Sequence, residues 1–221
     1  MPPLKVAVVF YSGFKGNIES LAIRIGKGAA KIEGSQVKLV SVDQVDQHWN
    51  FLHDCNAIIF GSPTYVGSLA ANFKLFVEML AGEVWLERLW LNKCAGGFTC
   101  SAGRSGDKLN CLIDMSIFAA QMGMLWVPMP MVGGNYSTAG SEEDLNRMAG
   151  YLGVMAQANI DESSDQAPPE SDLMTAELYG QHVASVAAAF VRGNLEKITG
   201  STASSNDEEP GRRPISIKDF F

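Results

Sequence analysis

Hydroxyl, amide and glycine residues gather where apolar runs end in this chain, and loops of that kind hold an anion or a polar ring by their backbone. In the first, Ser12, Gly13, Phe14, Lys15, Gly16, Asn17 and Ile18 follow the run Val6-Ala7-Val8-Val9-Phe10. Such a run has the character of a strand buried on both faces of a parallel sheet. Leu21, Ala22, Ile25, Ala29 and Ile32 then recur at helical spacing, and Asn17 is placed to cap that helix. Free N–H groups at the positive end of the helix dipole would face a phosphate there, and Ser12 and Asn17 can add side-chain bonds. An ordinary strand-to-helix turn accounts for the same residues.

Two further loops repeat the theme. The apolar run Cys55–Gly61 leads into Ser62, Pro63, Thr64, Tyr65, Val66, Gly67 and Ser68, ahead of a helix carrying Phe73, Phe76, Val77 and Leu80. The strand candidate 93–98 leads into Thr99, Cys100, Ser101, Ala102, Gly103, Arg104, Ser105 and Gly106, ahead of a helical run with Leu109, Leu112, Ile113, Ile117 and Met122. Ligands of open parallel sheets bind at the carboxyl ends of the strands, where all three loops fall. Each loop alone is also readable as a turn, and Arg104 as a solvated surface residue.

Other chemistries find little support. Neither G-x-x-x-x-G-K-[ST] nor a G-x-G-x-x-G after a strand is present, so the two familiar nucleotide loops are excluded. Cys55, Cys94, Cys100 and Cys111 form no C-x-x-C pair, and His48, His53 and His182 are scattered, which disfavours a metal or a nucleophile-base pair and points to reduced, buried thiols. A net charge of -7 and a pI near 5.0 argue against nucleic acid as partner.

The elements that must position the loops alternate between strand and helix over 221 residues, enough for one core. Residues 36–42 alternate as an outer strand, and 125–128 form a short final strand. The uncharged stretch 115–141 is broken by Gln121, glycines, Pro128 and Pro130, so it is no membrane span. Residues 135–172 form an insertion within a single domain of residues 1–198. Leu173 to Ile198 is an amphipathic helix with Leu178, Val183, Val186, Phe190 and Val191 toward the core, and 199–221 is a polar tail ending in Ile215-Ser216-Ile217-Lys218-Asp219-Phe220-Phe221. The chain enters its first strand within a few residues, leaving no room for a secretory signal, and the expected location is cytoplasmic.

Taken together, Tyr11-Ser12-Gly13-Phe14-Lys15-Gly16-Asn17-Ile18-Glu19, Gly61-Ser62-Pro63-Thr64-Tyr65-Val66-Gly67 and the loop 99–106 resemble the three cofactor loops of the flavodoxin superfamily, and within it the WrbA-type NAD(P)H:quinone oxidoreductases. The likeness spans about residues 4 to 134. Lys15 is an extra residue in the first loop, Asn17 stands where the family has histidine, and Gln121-Met122-Gly123-Met124 lacks the family's histidine pair. The resemblance implies a doubly wound, five-stranded parallel sheet of order 2-1-3-4-5, FMN held by the three loops, and hydride transfer from NAD(P)H through FMN to a quinone or similar acceptor. It implies a substrate pocket walled by Phe14, Tyr65, Trp85 and Arg104, with Arg104 or Lys15 steering nucleotide phosphates, and a homo-oligomer, dimer or tetramer. A flavodoxin-type electron carrier and an FMN-binding regulatory protein without turnover are the alternatives.

Overall fold

The computed structural model describes residues 3–163 and 165–193. A parallel sheet forms the middle layer, with strands β1 (Leu4–Phe10), β2 (Ser35–Ser41), β3 (Ala57–Tyr65), β5 (Cys94–Ser101), β6 (Leu125–Trp126) and β7 (Val154–Gln157); the short β4 (Ser68–Leu69) folds back antiparallel on the end of β3. The order is β2-β1-β3-β5, followed by a fifth position shared between two strands. β6 pairs with Cys94 and Ala95 at the start of β5, and β7 pairs with Phe98 through Ser101 at its end. The flavodoxin-like order therefore holds with its last strand in two pieces.

That division corrects the sequence reading of the last strand and of 135–172. The strand assigned to 125–128 ends at Trp126, and the sheet regains a strand at Val154 within the stretch read as an insertion. Three contacts close the gap. The Trp126 indole donates to Leu152 O at 2.9 Å, Gly97 N–H donates to the Tyr179 hydroxyl at 3.2 Å, and that hydroxyl donates to Val127 O at 2.7 Å. A single buried side chain thus satisfies backbone groups that no neighbouring strand reaches.

Among the described residues six α-helices cover the sheet: α1 (Asn17–Ala29) and α6 (Glu170–Arg192) on one face, and α2 (Trp49–Asp54), α3 (Ala71–Met79), α4 (Glu83–Leu86) and α5 (Lys108–Gln121) on the other. The period-two alternation of β1 divides its side chains between two cores. Val6 and Val8 meet α1 and α6, whereas Ala7 and Val9 meet an aromatic cluster in which Phe60 lies 5.2 Å from Phe118 and 6.2 Å from Trp90 between ring centres. β1, β3 and β5 are buried on both faces and β2 is the half-exposed edge, as their continuous and alternating patterns require.

Helix α6 departs from the sequence expectation. Val183 is buried, but Phe190 and Val191 are exposed. Small residues face the core instead, because α1 and α6 cross with their backbones in contact: a Cβ at Gly180 would lie 2.1 Å from Ile25 O, and one at Gly28 would lie 1.7 Å from Glu177 O. Residues 194–198 and the apolar terminus lie outside the described residues.

Candidate cofactor site at the carboxyl edge of the sheet

Four loops meet above the ends of β1, β3, β5 and β7. In the first, Gly13 and Gly16 take φ of 72° and 75°, a left-handed conformation that side chains resist, and so turn the chain from β1 into α1. Gly16 is the residue before the helix, and Asn17 is its first residue rather than its cap. An already helical Asn17 cannot bend its side chain onto the amides that a preceding residue would reach, so the expected cap is absent. Its Oδ1 is buried with no hydrogen-bond partner, and the amides of the first turn have no carbonyl within the helix to bond. Ser12 Oγ rests 3.2 Å from Glu19 Oε2, to which it donates.

The second loop leans on the first and the third. The Tyr65 hydroxyl accepts from Phe14 N–H at 3.3 Å, and the two rings stack at 5.8 Å with an interplanar angle of 25°. Phe14 is 88% exposed, so this aromatic pair forms the outer lip. Deeper, the Thr64 and Thr99 hydroxyls bond each other at 2.7 Å, and Ser62 Oγ accepts from Ala70 N–H at 3.0 Å. The third loop is fixed from beneath by Lys108, at the start of α5, whose Nζ donates to Ser101 Oγ at 2.9 Å and Gly103 O at 2.5 Å.

The fourth loop, Ala158 to Ile160, was invisible to the sequence reading. Gln157 Nε2 donates to Ala102 O at 3.0 Å and Asn159 Oδ1 at 2.8 Å, joining it to the third loop. A buried, two-pronged Arg147–Asp172 pair, both contacts at 2.8 Å, stands behind it, and Asp172 also accepts from Gln157 N–H at 2.9 Å. Asp172 sits in the first turn of α6, where a carboxylate is favoured by the helix dipole. The one signal for this loop was the short apolar run Val154-Met155-Ala156 between Gly153 and Gln157.

Among them the loops enclose a cavity of about 330 Å³, inside the range of small-ligand sites. Of the residues singled out by sequence, Ser12, Phe14, Lys15, Asn17, Ile18, Pro63, Thr64, Tyr65, Cys100, Ser101 and Ala102 line it, joined by Ala158, Asn159 and Ile160. Gly13 and Gly16 shape the turn, and Thr99 is buried behind Thr64. Val66 and Gly67 turn outward, with Val66 fully exposed. Burial pushes the Cys100 thiol up to about 12, so it lines the wall as a neutral group and no nucleophile.

Two expected pocket residues stand elsewhere. Trp85 lies on α4 in a separate cavity with Val77, Leu86, Phe118 and Met122. The α3 and α5 helices run back from the loops, so their C-terminal ends carry it to the opposite edge of the sheet. Arg104 is held at 2.6 Å by Glu142 and faces, with Ser105, a neighbouring cavity under Met148 and Tyr151. Gly103 and Gly106 belong to the same turn and do not line the central cavity. Lys15 is engaged as well: its Nζ donates to Ile160 O and, at 3.3 Å, to Glu162 O, strapping the first loop to the fourth. No group of three His, Cys, Asp or Glu side chains arranged to hold a metal occurs among the described residues.

Comparison with known proteins agrees with this geometry. Flavodoxin FldP of Pseudomonas aeruginosa is 37% identical over 186 residues, which is 82% of this chain and 96% of that protein. The chain belongs to the flavodoxin-like family of flavin oxidoreductases. Residues 30–139 match the family model for NADPH-dependent FMN reductase. An NAD(P)H dehydrogenase (quinone) of Aromatoleum aromaticum is 24% identical over 212 residues, 86% of this chain and 99% of the relative. A solved structure described as the flavodoxin, WrbA-like protein from Agrobacterium tumefaciens superposes with a TM-score of 0.65 at 32% identity, covering 84% and 98% of the two chains.

FMN, the cofactor this family implies, suits the residues present. Its phosphate needs donors at a helix N-terminus, which the first-turn amides supply, with the Asn17 side-chain NH2 and the Ser12 hydroxyl, released from Glu19, as further donors at the cavity wall. Its ring needs a slot with apolar and aromatic walls, which Phe14, Pro63, Tyr65, Ala102 and Ile160 provide.

Proposed function

We propose that this chain is an NAD(P)H-dependent reductase that passes hydride through FMN to a quinone or a related small acceptor. The observation that carries the reading is the convergence of four loops on one cavity that takes in the N-terminus of α1, whose first-turn amides have no partner carbonyl within the helix. When bound, FMN supplies the electron chemistry: hydride leaves the nicotinamide to give NAD(P)+, and the ring takes up two electrons and a proton and gains one negative charge. The protein's part is position and access. Ser12, Asn17 and the first-turn amides anchor the phosphate, and Phe14 and Tyr65 frame the mouth. With one mouth and no G-x-G-x-x-G loop for a separate dinucleotide site, donor and acceptor use the same face in turn.

FMN titration followed by steady-state oxidation of NADH and NADPH with a quinone tests this. Micromolar or tighter FMN binding is expected, weakened at least tenfold by changing Ser12 and Asn17 together to alanine, since a hydrogen bond to a charged group contributes about 1.5–3 kcal/mol. Parallel double-reciprocal lines are expected at several quinone concentrations; intersecting lines would exclude the shared face. The 37% likeness to a flavodoxin over most of both chains supports a second reading, an electron carrier. Tight FMN binding without nucleotide oxidation would select it.

We also read the chain as a cytoplasmic homo-oligomer. Among the described residues no helix is long and apolar enough to cross a membrane. The outward side of α5 carries Leu109, Ile113 and Ile117, all exposed, and α3 exposes Leu75 and Met79. Its one carboxylate, Asp114, accepts from Ser68 Oγ at 2.5 Å. A helix face so short of free charge matches the depletion of charged residues at the centre of protein interfaces.

A further inference from the structure

Lys108 has no solvent exposure, a rare state for a lysine without a carboxylate beside it. Its two acceptors, Ser101 Oγ and Gly103 O, are neutral, and among the described residues no carboxylate comes within ion-pair distance. Beside the neutral Cys100 thiol, the charged groups acting on it are Asp172 and Arg147, which are spent on each other at 2.8 Å. Desolvation pushes its pKa down, the direction of a cation short of counter-charge. A buried, uncompensated charge is costly, and its retention calls for a compensating charge nearby. The open space beside it is the cofactor cavity: Ser101, whose hydroxyl accepts from Nζ, and Cys100 are both wall residues.

We propose that Lys108 is the counter-cation of this cavity, held behind the Ser101 hydroxyl so that it stabilises the negative charge a flavin gains on reduction. The assignment rests on the cavity holding FMN. It makes Lys108 a positioning and electrostatic residue for the cofactor rather than a catalytic one, because Ser101 lies between it and the cavity. Placed at the start of α5, beneath the third loop, it acts from the opposite wall to the phosphate-binding amides of α1, so the two ends of the cofactor have separate cations and dipoles.

The test is the midpoint potential of bound FMN, measured against a reference dye, together with the dissociation constant of oxidised FMN. K108Q keeps a hydrogen-bond donor for Gly103 O without the charge, K108M removes both, and K108R restores the charge. Loss of the charge should weaken the reduced cofactor relative to the oxidised one on the order of tenfold, a fall of about 30 mV for a two-electron couple. K108R should stay near the parent value, and raised salt should leave the difference in place, because the Lys108 side chain has no solvent exposure. An unchanged potential in folded K108Q would overturn the proposal, as would an equal shift in K108R. Should K108M fail to fold, K108Q decides. If the unaltered chain binds no FMN, the cofactor reading itself fails and takes this one with it; FMN binding with an unmoved potential defeats the Lys108 role alone.

Discussion

At the residue scale, the molecule places its charges unevenly. Glu177 gathers Lys31 at 2.7 Å, Arg24 at 3.1 Å and Lys27 at 3.3 Å, and the Lys31 ammonium, aided by the other two, holds its carboxyl down at about 2 against an ordinary 4.5. Since α1 supplies Arg24 and Lys27, the turn after it Lys31, and α6 the carboxylate, the cluster locks the crossing of the two helices. The folded-state pKa lies below the unfolded one, so the stabilisation is complete above about pH 4.5 and is lost as pH falls toward 2. Glu177→Gln should therefore lower the melting temperature at pH 7 and converge with the parent near pH 2. Thermal melts between pH 7 and pH 2 measure this, and a gap that stays constant with pH would refute it.

At the element scale, the break in the fifth strand is the feature on which the site depends. Only because the chain leaves the sheet at Val127 and returns at Val154 does β7 end beside β5 and deliver Asn159 and Ile160 to the cavity. Tyr179 makes that break tolerable. Tyr179→Phe keeps the packing but strands Gly97 N–H and Val127 O in the core, each cost falling in the range of about 1–3 kcal/mol. A drop of roughly 5 °C or more in melting temperature should follow, at about 2–4 °C per kcal/mol in a domain of this size. Melting within 1 °C of the parent would mean that water replaces the hydroxyl. Because the mended gap adjoins β7, FMN affinity should weaken with it.

At the scale of the whole molecule, the uncharged outer face of α5 makes self-association the expected state. Leu109, Ile113 and Ile117 are spaced four residues apart, so a two-fold axis at Ile113 would set Leu109 of one copy against Ile117 of the other. Light scattering on the full chain should give at least twice the 23.8 kDa of the monomer, and I113E with I117K should return the monomer. A monomer at micromolar concentration in the parent would remove this interface.

By itself the sequence determined the α/β class, the buried central strands and the three glycine- and hydroxyl-rich loops, because buried strands need continuous apolar runs and sharp turns into helices need small residues. Eleven of the cavity's fourteen lining residues were legible that way. Tertiary structure alone decided the rest. Asn17 could be known as an unpartnered wall residue, and not a cap, only once Gly16 was found in the left-handed region. Arg104 looked free for a phosphate until the excursion brought Glu142 against it, and Trp85 looked like a wall until the direction of α3 and α5 put it at the far edge. The Arg147–Asp172 pair joins residues 25 apart in the chain and the Gln157–Ala102 link residues 55 apart, and Lys108 reads as an ordinary surface lysine until the third loop folds over it. Local pattern records which face of an element is apolar; which distant side chains meet there is set by how the sheet orders and divides its strands.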